Sequence, residues 1–279
     1  MKINFRDIVL NVEIFSRRDG FSRKNNSGNL ILFLHGFTGS SEDWKNIAGK
    51  IDKRFSLAAL DLIGHGKSQS PEDENFYSAG SISEQIKQTA AELTDKKIIL
   101  VGYSMGGRAA LSFASKYHEK IHALILESTS PGITSENLRA DRVRSDEELA
   151  KFILKNPIEI FVDRWMNIDL FNSQKNLPRK ILKSEREKKL RNNPVGLANS
   201  LKGFGSGKMP PLFDKLENIN IKTLLISGEL DKKFTTINNN MLKFFPFAEN
   251  HIIKGAGHNT HLEKPDDFTT VVNNFLKKF

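Results

Sequence analysis

The strongest chemical signal in the sequence is a serine set among glycines. Residues 102–107 have the sequence Gly-Tyr-Ser-Met-Gly-Gly, which follows an apolar segment and precedes an amphipathic one. Glycines permit a sharp turn between a strand and a helix, and such a turn exposes the central hydroxyl at the positive end of the helix. In this context the pattern predicts that Ser104 is a catalytic nucleophile or base.

A serine hydroxyl becomes reactive only when a neighbouring group removes its proton. His258 is the candidate for that group, because it lies in a loop of small residues between a predicted strand and the C-terminal helix. An imidazole can accept a proton and return it near neutral pH. His261 is the alternative base, although it already belongs to the segment that enters the last helix.

A carboxylate must then orient the imidazole. Asp231 follows the predicted strand at residues 222–226, and Glu229 in the same loop is the competing carboxylate. The chain order serine, aspartate, histidine is one of the known orders of a serine catalytic triad. We therefore expect Ser104, Asp231 and His258 to act together.

A second loop supplies a partner for developing negative charge. A His-Gly pair follows the apolar residues 30–34 and precedes Phe37. The backbone N–H of Phe37 would pair with that of Met105, the residue after the serine, to form an oxyanion hole. Without that role, the His-Gly pair marks only a tight turn after a strand.

Alternating strands and helices must position these groups. Short apolar runs such as residues 30–34 predict parallel strands buried on both faces, and amphipathic segments such as residues 82–93 predict helices. The alternation predicts an α/β fold with a mostly parallel central sheet and helices on both faces. The polar residues 21–28 predict a loop.

One long segment interrupts the alternation. Residues 131–213 contain charged helical stretches and no convincing strand, and such a segment is too long for a loop. We therefore expect residues 1–130 and 214–279 to form the core. Residues 131–213 would form an inserted helical lid over the carboxyl edge of the sheet, where ligands bind in such folds.

Composition excludes several other kinds of protein and site. The 279 residues include no cysteine, which excludes disulfides, thiolate metal sites and a cysteine nucleophile. The apolar runs fall far short of the roughly 18 residues of a membrane span. Neither metal-site spacing nor a phosphate-binding glycine loop is present, so the sequence predicts no metal and no cofactor. The charged first residues do not resemble a secretory signal, and we expect a cytoplasmic protein without a membrane partner.

The net charge raises the question of nucleic-acid binding. The chain carries 42 basic and 33 acidic residues, for a formal charge of +9. Its basic residues are spread along the chain, and the densest stretch, at 179–191, also contains Glu185 and Glu187. Since the sequence lacks the alternation of aromatic and basic residues that stacks bases, we expect no nucleic-acid partner.

Taken together, these motifs resemble those of the α/β-hydrolases along nearly the whole chain. More narrowly, the sequence resembles the family of lyases that make 2-succinyl-6-hydroxy-2,4-cyclohexadiene-1-carboxylate in menaquinone biosynthesis. The narrower resemblance rests on Tyr103 before the serine and Arg108 four residues after it. It also rests on separated motifs at residues 127–132, 161–165, 190–193, 228–234 and 257–263.

The resemblance implies a lyase rather than a hydrolase. Enzymes of this family remove a ring proton from 2-succinyl-5-enolpyruvyl-6-hydroxy-3-cyclohexene-1-carboxylate and expel the enolpyruvyl group as pyruvate. The triad serine, activated by histidine, is the base, and the oxyanion hole stabilises charge on the succinyl carbonyl. The implied partner is a small tricarboxylate molecule, no cofactor is needed, and the protein would be a monomer or a weak homo-oligomer.

A substrate with three carboxylates would explain a set of cations. Arg108 lies one helical turn after Ser104 and would therefore stay beside the site. A guanidinium binds a carboxylate through two parallel hydrogen bonds, a geometry that lysine cannot copy. The resemblance implies that the other substrate-binding residues are Tyr103, Arg142, Trp165 and Arg191.

The assignments within the lid leave alternatives open. Arg139 and Arg144 lie close to Arg142 in the sequence, and the choice of Arg142 depends on the alignment of the Ser-Asp pair that follows it. Arg164 adds a charge beside Trp165 and could shift the register there by one residue.

A serine esterase, thioesterase or carbon–carbon bond hydrolase with the same triad is the main alternative function. Several converging arginines would favour the lyase, because an enzyme for neutral substrates has no use for buried cations, which are costly when unpaired. A non-catalytic binding protein is a third possibility, since a fold alone does not establish an activity.

Overall fold

Eight strands form one sheet in a computed structural model that describes residues 1–15 and 29–279. The strands are β1 (Lys2–Phe5), β2 (Ile8–Ile14), β3 (Leu30–Leu34), β4 (Ser56–Asp61), β5 (Ile98–Tyr103), β6 (Ile121–Glu127), β7 (Lys222–Gly228) and β8 (Ala248–Ile253). Their order is β1-β2-β4-β3-β5-β6-β7-β8. Pairings that involve β1 or β2 are antiparallel, and the others are parallel. The predicted loop at residues 21–28 lies outside the described residues.

Ten α-helices accompany these strands in the part of the chain that the structure describes. They are α1 (Lys45–Ala48), α2 (Ala79–Leu93), α3 (Met105–Tyr117), α4 (Glu136–Lys155), α5 (Ile158–Met166), α6 (Arg179–Leu190), α7 (Pro194–Phe204), α8 (Lys232–Met241), α9 (Thr260–Glu263) and α10 (Pro265–Leu276). Among these described helices, none is both long enough and apolar enough to cross a membrane.

The sheet is covered on both faces because its strands are apolar throughout. All five residues of β3 are buried, and successive side chains point to opposite faces. Leu30, Leu32 and Leu34 join an apolar core that includes residues of α2, α3 and α8, whereas Ile31 and Phe33 join a second core with α1 and α10. The mostly parallel sheet with helices on both faces, predicted from the sequence, is confirmed.

Four helices, α4 to α7, lie between β6 and β7, and no strand lies within residues 131–213, all of which are described. Three of them, α4, α5 and α7, share a small apolar core of their own, formed by Ala150, Ile153, Phe161, Val162, Leu197, Ala198 and Leu201. Helix α7 also packs closely on the main body, since a Cβ atom on Gly196 would lie 2.7 Å from the Cα of Gly64. The separation of a core from a lid at these boundaries stays a prediction.

Candidate active site

Ser104 lies in the turn between the end of β5 and the start of α3. Its backbone has φ +50° and ψ −107°, a conformation that non-glycine residues rarely adopt. The backbone N–H of Ser104 donates to the carbonyl of Glu127 (2.9 Å), and its own carbonyl accepts from the Thr129 hydroxyl (2.8 Å). Such strain persists only where the surroundings enforce it, and it is common at catalytic positions.

The flanking glycines make this turn possible through close backbone packing. A Cβ atom on Gly102 would lie 2.5 Å from the carbonyl oxygen of Gly106. A Cβ atom on Gly106 would lie 2.6 Å from the carbonyl oxygen of His35, the first residue after β3. The glycines therefore let α3 start directly against the sheet, which brings Ser104 beside the loop after β3.

Gly106→Ala is expected to lower the free energy of unfolding by about 3 kcal/mol, because the new methyl group has no space and the backbone must shift. Urea unfolding followed by circular dichroism measures the change. Gly80→Ala is the matched control, since no atom lies within 4 Å of a Cβ at that position in α2. Equal unfolding midpoints for the two variants would contradict the packing argument.

The three residues of the predicted triad lie in one hydrogen-bonded row. The Nε2 atom of His258 is 3.0 Å from the Oγ atom of Ser104, and its Nδ1 atom is 2.7 Å from Oδ2 of Asp231. His258 is 1% exposed and Asp231 is 8% exposed. This geometry lets the imidazole take the serine proton while the carboxylate stabilises the positive charge that develops.

Asp231 is fixed by its second oxygen, which accepts the N–H of Phe234 (3.2 Å) and thereby caps α8. Glu229 and His261, the residues that competed for the triad roles, have other partners. Glu229 instead accepts the N–H of Gly255 (2.9 Å), at the start of the loop that carries His258. His261 is bonded to the carboxylate of Glu127 through Nδ1 (2.7 Å).

The loop after β3 is fixed by His35. Its Nε2 atom accepts the N–H of Leu62 (3.0 Å), so its Nδ1 atom carries the proton and donates to the carbonyl of Gly36 (2.8 Å). Phe37 follows directly and lines the same cavity as Met105. Met105 is the first residue of α3, so its N–H has no acceptor within the helix.

A cavity of about 220 Å³ opens above Ser104 and His258. Aromatic rings form much of its wall: Phe37 and Trp165 meet edge to face with their centroids 5.2 Å apart, and Phe234 lies 4.6 Å from the His258 ring. The other predicted residues that line it are Tyr103, Met105, Arg108 and Arg142. Sequence reasoning missed Phe171 and Phe234, although Phe234 lies within the quoted 228–234 motif.

Two arginines reach this cavity from different elements. Burial lowers the pKa of Arg108 to about 10, and the nearby charge of Arg142 adds to the effect while Asp146 opposes it. The guanidinium of Arg108 also donates to the carbonyl of Phe204. Arg142 donates to Asp146 (2.8 Å), whose own pKa is raised by burial even though both arginines favour its charged form. The cavity therefore holds more positive than negative charge.

The structure does not bring Arg191 to the cavity. Its side chain is 56% exposed and donates to Glu42 (2.5 Å), outside the lining residues. The neighbouring Asn192 is buried instead, and its amide donates to the carbonyl of Thr38 (2.8 Å), next to Phe37. Of the three arginines near the start of α4, Arg142 is the one that lines the cavity, and Trp165 rather than Arg164 does so in α5.

Within residues 1–15 and 29–279, no group of three histidine, aspartate or glutamate side chains is placed to hold a metal ion. Ser104 and His258, which lie beside Arg108 and Arg142, can support proton transfer or nucleophilic attack in a cationic pocket.

Comparisons with known proteins agree with this geometry. Residues 29–265 match the family model described as the alpha/beta hydrolase fold. A Bacillus subtilis protein provisionally named 2-succinyl-6-hydroxy-2,4-cyclohexadiene-1-carboxylate synthase is 41% identical over 90% of this chain and 91% of its own. The synthase of that name from Enterobacter is 30% identical over 84% of this chain and 86% of its own. The structure of MenH from S. aureus superposes with a TM-score of 0.89 at 35% identity, covering 96% of this chain and 98% of that one.

Proposed function

This chain is a lyase of the α/β-hydrolase family, in the branch of the 2-succinyl-6-hydroxy-2,4-cyclohexadiene-1-carboxylate synthases, and from that premise we propose that it eliminates pyruvate from 2-succinyl-5-enolpyruvyl-6-hydroxy-3-cyclohexene-1-carboxylate in menaquinone biosynthesis. The observation that carries the proposal is the convergence, in one cavity, of the hydrogen-bonded Ser104–His258 pair with Arg108 and Arg142.

Ser104 is the proposed base. As its Oγ atom takes a proton from the ring, His258 accepts the hydroxyl proton at Nε2, across the 3.0 Å contact. The electron pair of the broken C–H bond at ring carbon 2 forms the double bond to carbon 3. The existing double bond then shifts to carbons 4 and 5, and the C–O bond from carbon 5 to the enolpyruvyl group breaks. The departing enolate takes a proton and becomes pyruvate. Because Ser104 acts as a base and not as a nucleophile, no acyl-enzyme forms. Asp231 holds the imidazole in the tautomer that this transfer requires.

The proposed oxyanion hole consists of the backbone N–H groups of Phe37 and Met105. Proton removal places negative charge on the conjugated succinyl carbonyl, and fixed N–H donors stabilise such charge without reorganisation. The bonds that His35 makes to Gly36 and Leu62 support the fixed position of this loop.

Arg108 and Arg142 are the proposed carboxylate ligands, with Tyr103 and Trp165 as walls of the pocket. Two guanidinium groups in a partly buried cavity repel one another, and the single carboxylate of Asp146 does not balance them. A substrate with three carboxylates would supply the missing negative charge. Residues 131–213 would act as the lid, because α4 carries Arg142, α5 carries Trp165 and α7 carries Ser200 and Leu201, all of which line the cavity.

The deciding experiment measures pyruvate release from the freshly prepared enolpyruvyl substrate, with a control without enzyme because the substrate decays unaided. We expect release far above that control. If the folded protein releases no pyruvate but rapidly hydrolyses p-nitrophenyl acetate, the same triad belongs to an esterase and the proposal is wrong. A cytoplasmic location and a monomeric or weakly associated state stay predictions, which cell fractionation and ultracentrifugation would test.

A further inference from the structure

Glu127 is a fully buried carboxylate at the end of β6, outside the triad. Its side chain accepts three hydrogen bonds: from the Thr260 hydroxyl (2.7 Å), from the backbone N–H of His261 (3.0 Å) and from Nδ1 of His261 (2.7 Å). All three donors lie two or three residues after His258. The buried carboxylate is therefore fully engaged with the segment that carries the proposed general base.

The same residue also holds the nucleophile turn. The backbone carbonyl of Glu127 accepts the N–H of Ser104 (2.9 Å), at the residue where the chain takes its strained conformation. One residue thus binds Ser104 through its main chain and the His258 segment through its side chain. Glu127 thus connects the two segments that place the Nε2 atom of His258 3.0 Å from the Oγ atom of Ser104.

Aromatic packing makes this connection rigid. The ring of His261 stacks on Trp44 with centroids 4.3 Å apart, and its edge meets Tyr103 at 5.0 Å. Tyr103 in turn lies 5.4 Å from the ring of His258. Because Trp44 is fully buried and Tyr103 precedes Ser104, a shift of His261 would disturb both the base and the nucleophile.

Two other carboxylates accept hydrogen bonds from the loop that leads to His258. Glu229 accepts the N–H of Gly255 (2.9 Å), and Glu263 accepts the N–H of Gly257 (2.7 Å). Both are only partly buried, and neither bonds to Ser104 in the described structure. Glu127 differs because it is buried and contacts the two catalytic segments together.

We propose that Glu127 is a positioning residue, whose three side-chain hydrogen bonds hold the His258 segment within proton-transfer distance of Ser104. This role rests on the proposed function of the triad but not on the identity of the substrate. A displacement of about 1 Å can cost about 100-fold in rate. Loss of Glu127 should therefore slow every reaction of Ser104 without changing what the pocket binds.

The test uses a fluorophosphonate, which labels an activated serine whatever the natural substrate is. For Glu127→Ala we expect the maximal labelling rate to fall about 100-fold, with an unchanged half-saturating concentration. Glu127→Gln can still accept from Thr260 and from the N–H of His261, so it should label within about tenfold of wild type. Thr260→Val removes one bond of the three and should slow labelling about fivefold.

Thr223→Val is the matched control, because it removes a buried hydroxyl that donates to Ile221 (3.0 Å) at the start of β7, the opposite end of the sheet from the site. It should lose stability and label at the wild-type rate. Folded Glu127→Ala that labels as fast as wild type would overturn the proposal. So would Glu127→Gln that labels as slowly as Glu127→Ala, since the role would then lie in the charge. If the alanine variant does not fold, an unchanged labelling rate in Thr260→Val decides against the proposal.

This readout separates the two inferences. If the variants label at the expected rates relative to wild type but the wild-type protein releases no pyruvate, the lyase assignment is wrong and the role of Glu127 stands. If the wild-type protein releases pyruvate and Glu127→Ala releases it at the same rate, the role of Glu127 is wrong and the lyase assignment stands.

Discussion

Replacement of Ser104 by alanine is expected to slow pyruvate release about 1,000-fold or more, with the fold intact. The reason is that the proposed proton transfer passes through this hydroxyl to the Nε2 atom of His258, 3.0 Å away, and general-base catalysis is worth about 10² to 10⁴ in rate. Alanine removes the hydroxyl without a new contact in the strained turn. Single-turnover measurement of pyruvate, with saturating enzyme, isolates the chemical step.

Ser115→Ala is the control for this substitution. Ser115 lies on the same helix, α3, and its hydroxyl only donates to the carbonyl of Ser112 (2.9 Å). It should turn over like the wild type. Near-normal pyruvate release by the Ser104→Ala protein would remove the serine from the mechanism and leave His258 to act directly.

Replacement of Arg108 by alanine is expected to raise the KM about 100-fold. Removing one member of a buried charge pair costs about 2 to 5 kcal/mol, and each 1.4 kcal/mol is a factor of ten in affinity. Lysine should not restore binding, because its ammonium cannot form the two parallel bonds of a guanidinium. The Michaelis constant of the pyruvate-releasing reaction measures the effect.

Two other arginines provide the comparison. Arg142→Ala should raise the KM less, about tenfold, because Asp146 already neutralises part of its charge. Arg144 lies two residues further along α4, is exposed and pairs with Asp141, so Arg144→Ala should leave the KM unchanged. A normal KM in Arg108→Ala, with only kcat reduced, would show that the guanidinium does not bind a ground-state carboxylate.

The grouping of Ser104, Asp231 and His258 could be predicted from sequence because its signals are local. Ser104 needs glycines within two residues on either side, and Asp231 and His258 each follow the end of a strand. Parallel strands end at one edge of the sheet, so three separate loops meet there without further information. The same reasoning reached Arg108, which lies in the first turn of the helix that starts directly after Ser104.

Arg191 could not be placed in this way. Its direction depends on how the end of α6 packs against the residues after β3, where Glu42 offers a partly buried partner. The partnership of Glu127 with His261 also spans 134 residues and has no local signature. Residues whose roles depend on pairs distant in the chain therefore emerge only from the folded structure.

The buried guanidinium of Arg108 also lowers the stability of the folded protein. Burial lowers the pKa of Arg108 to about 10, which corresponds to an electrostatic cost on the order of a few kcal/mol in the folded state. The cost is fully present at neutral pH, since the guanidinium is charged in both the folded and unfolded chain, and it is relieved only above about pH 10. A leucine or methionine at this position should give a more stable protein, because it would remove the buried charge. Random mutagenesis selected only for heat resistance should therefore favour replacement of Arg108, and the heat-resistant variants should need more substrate to reach the same rate of pyruvate release.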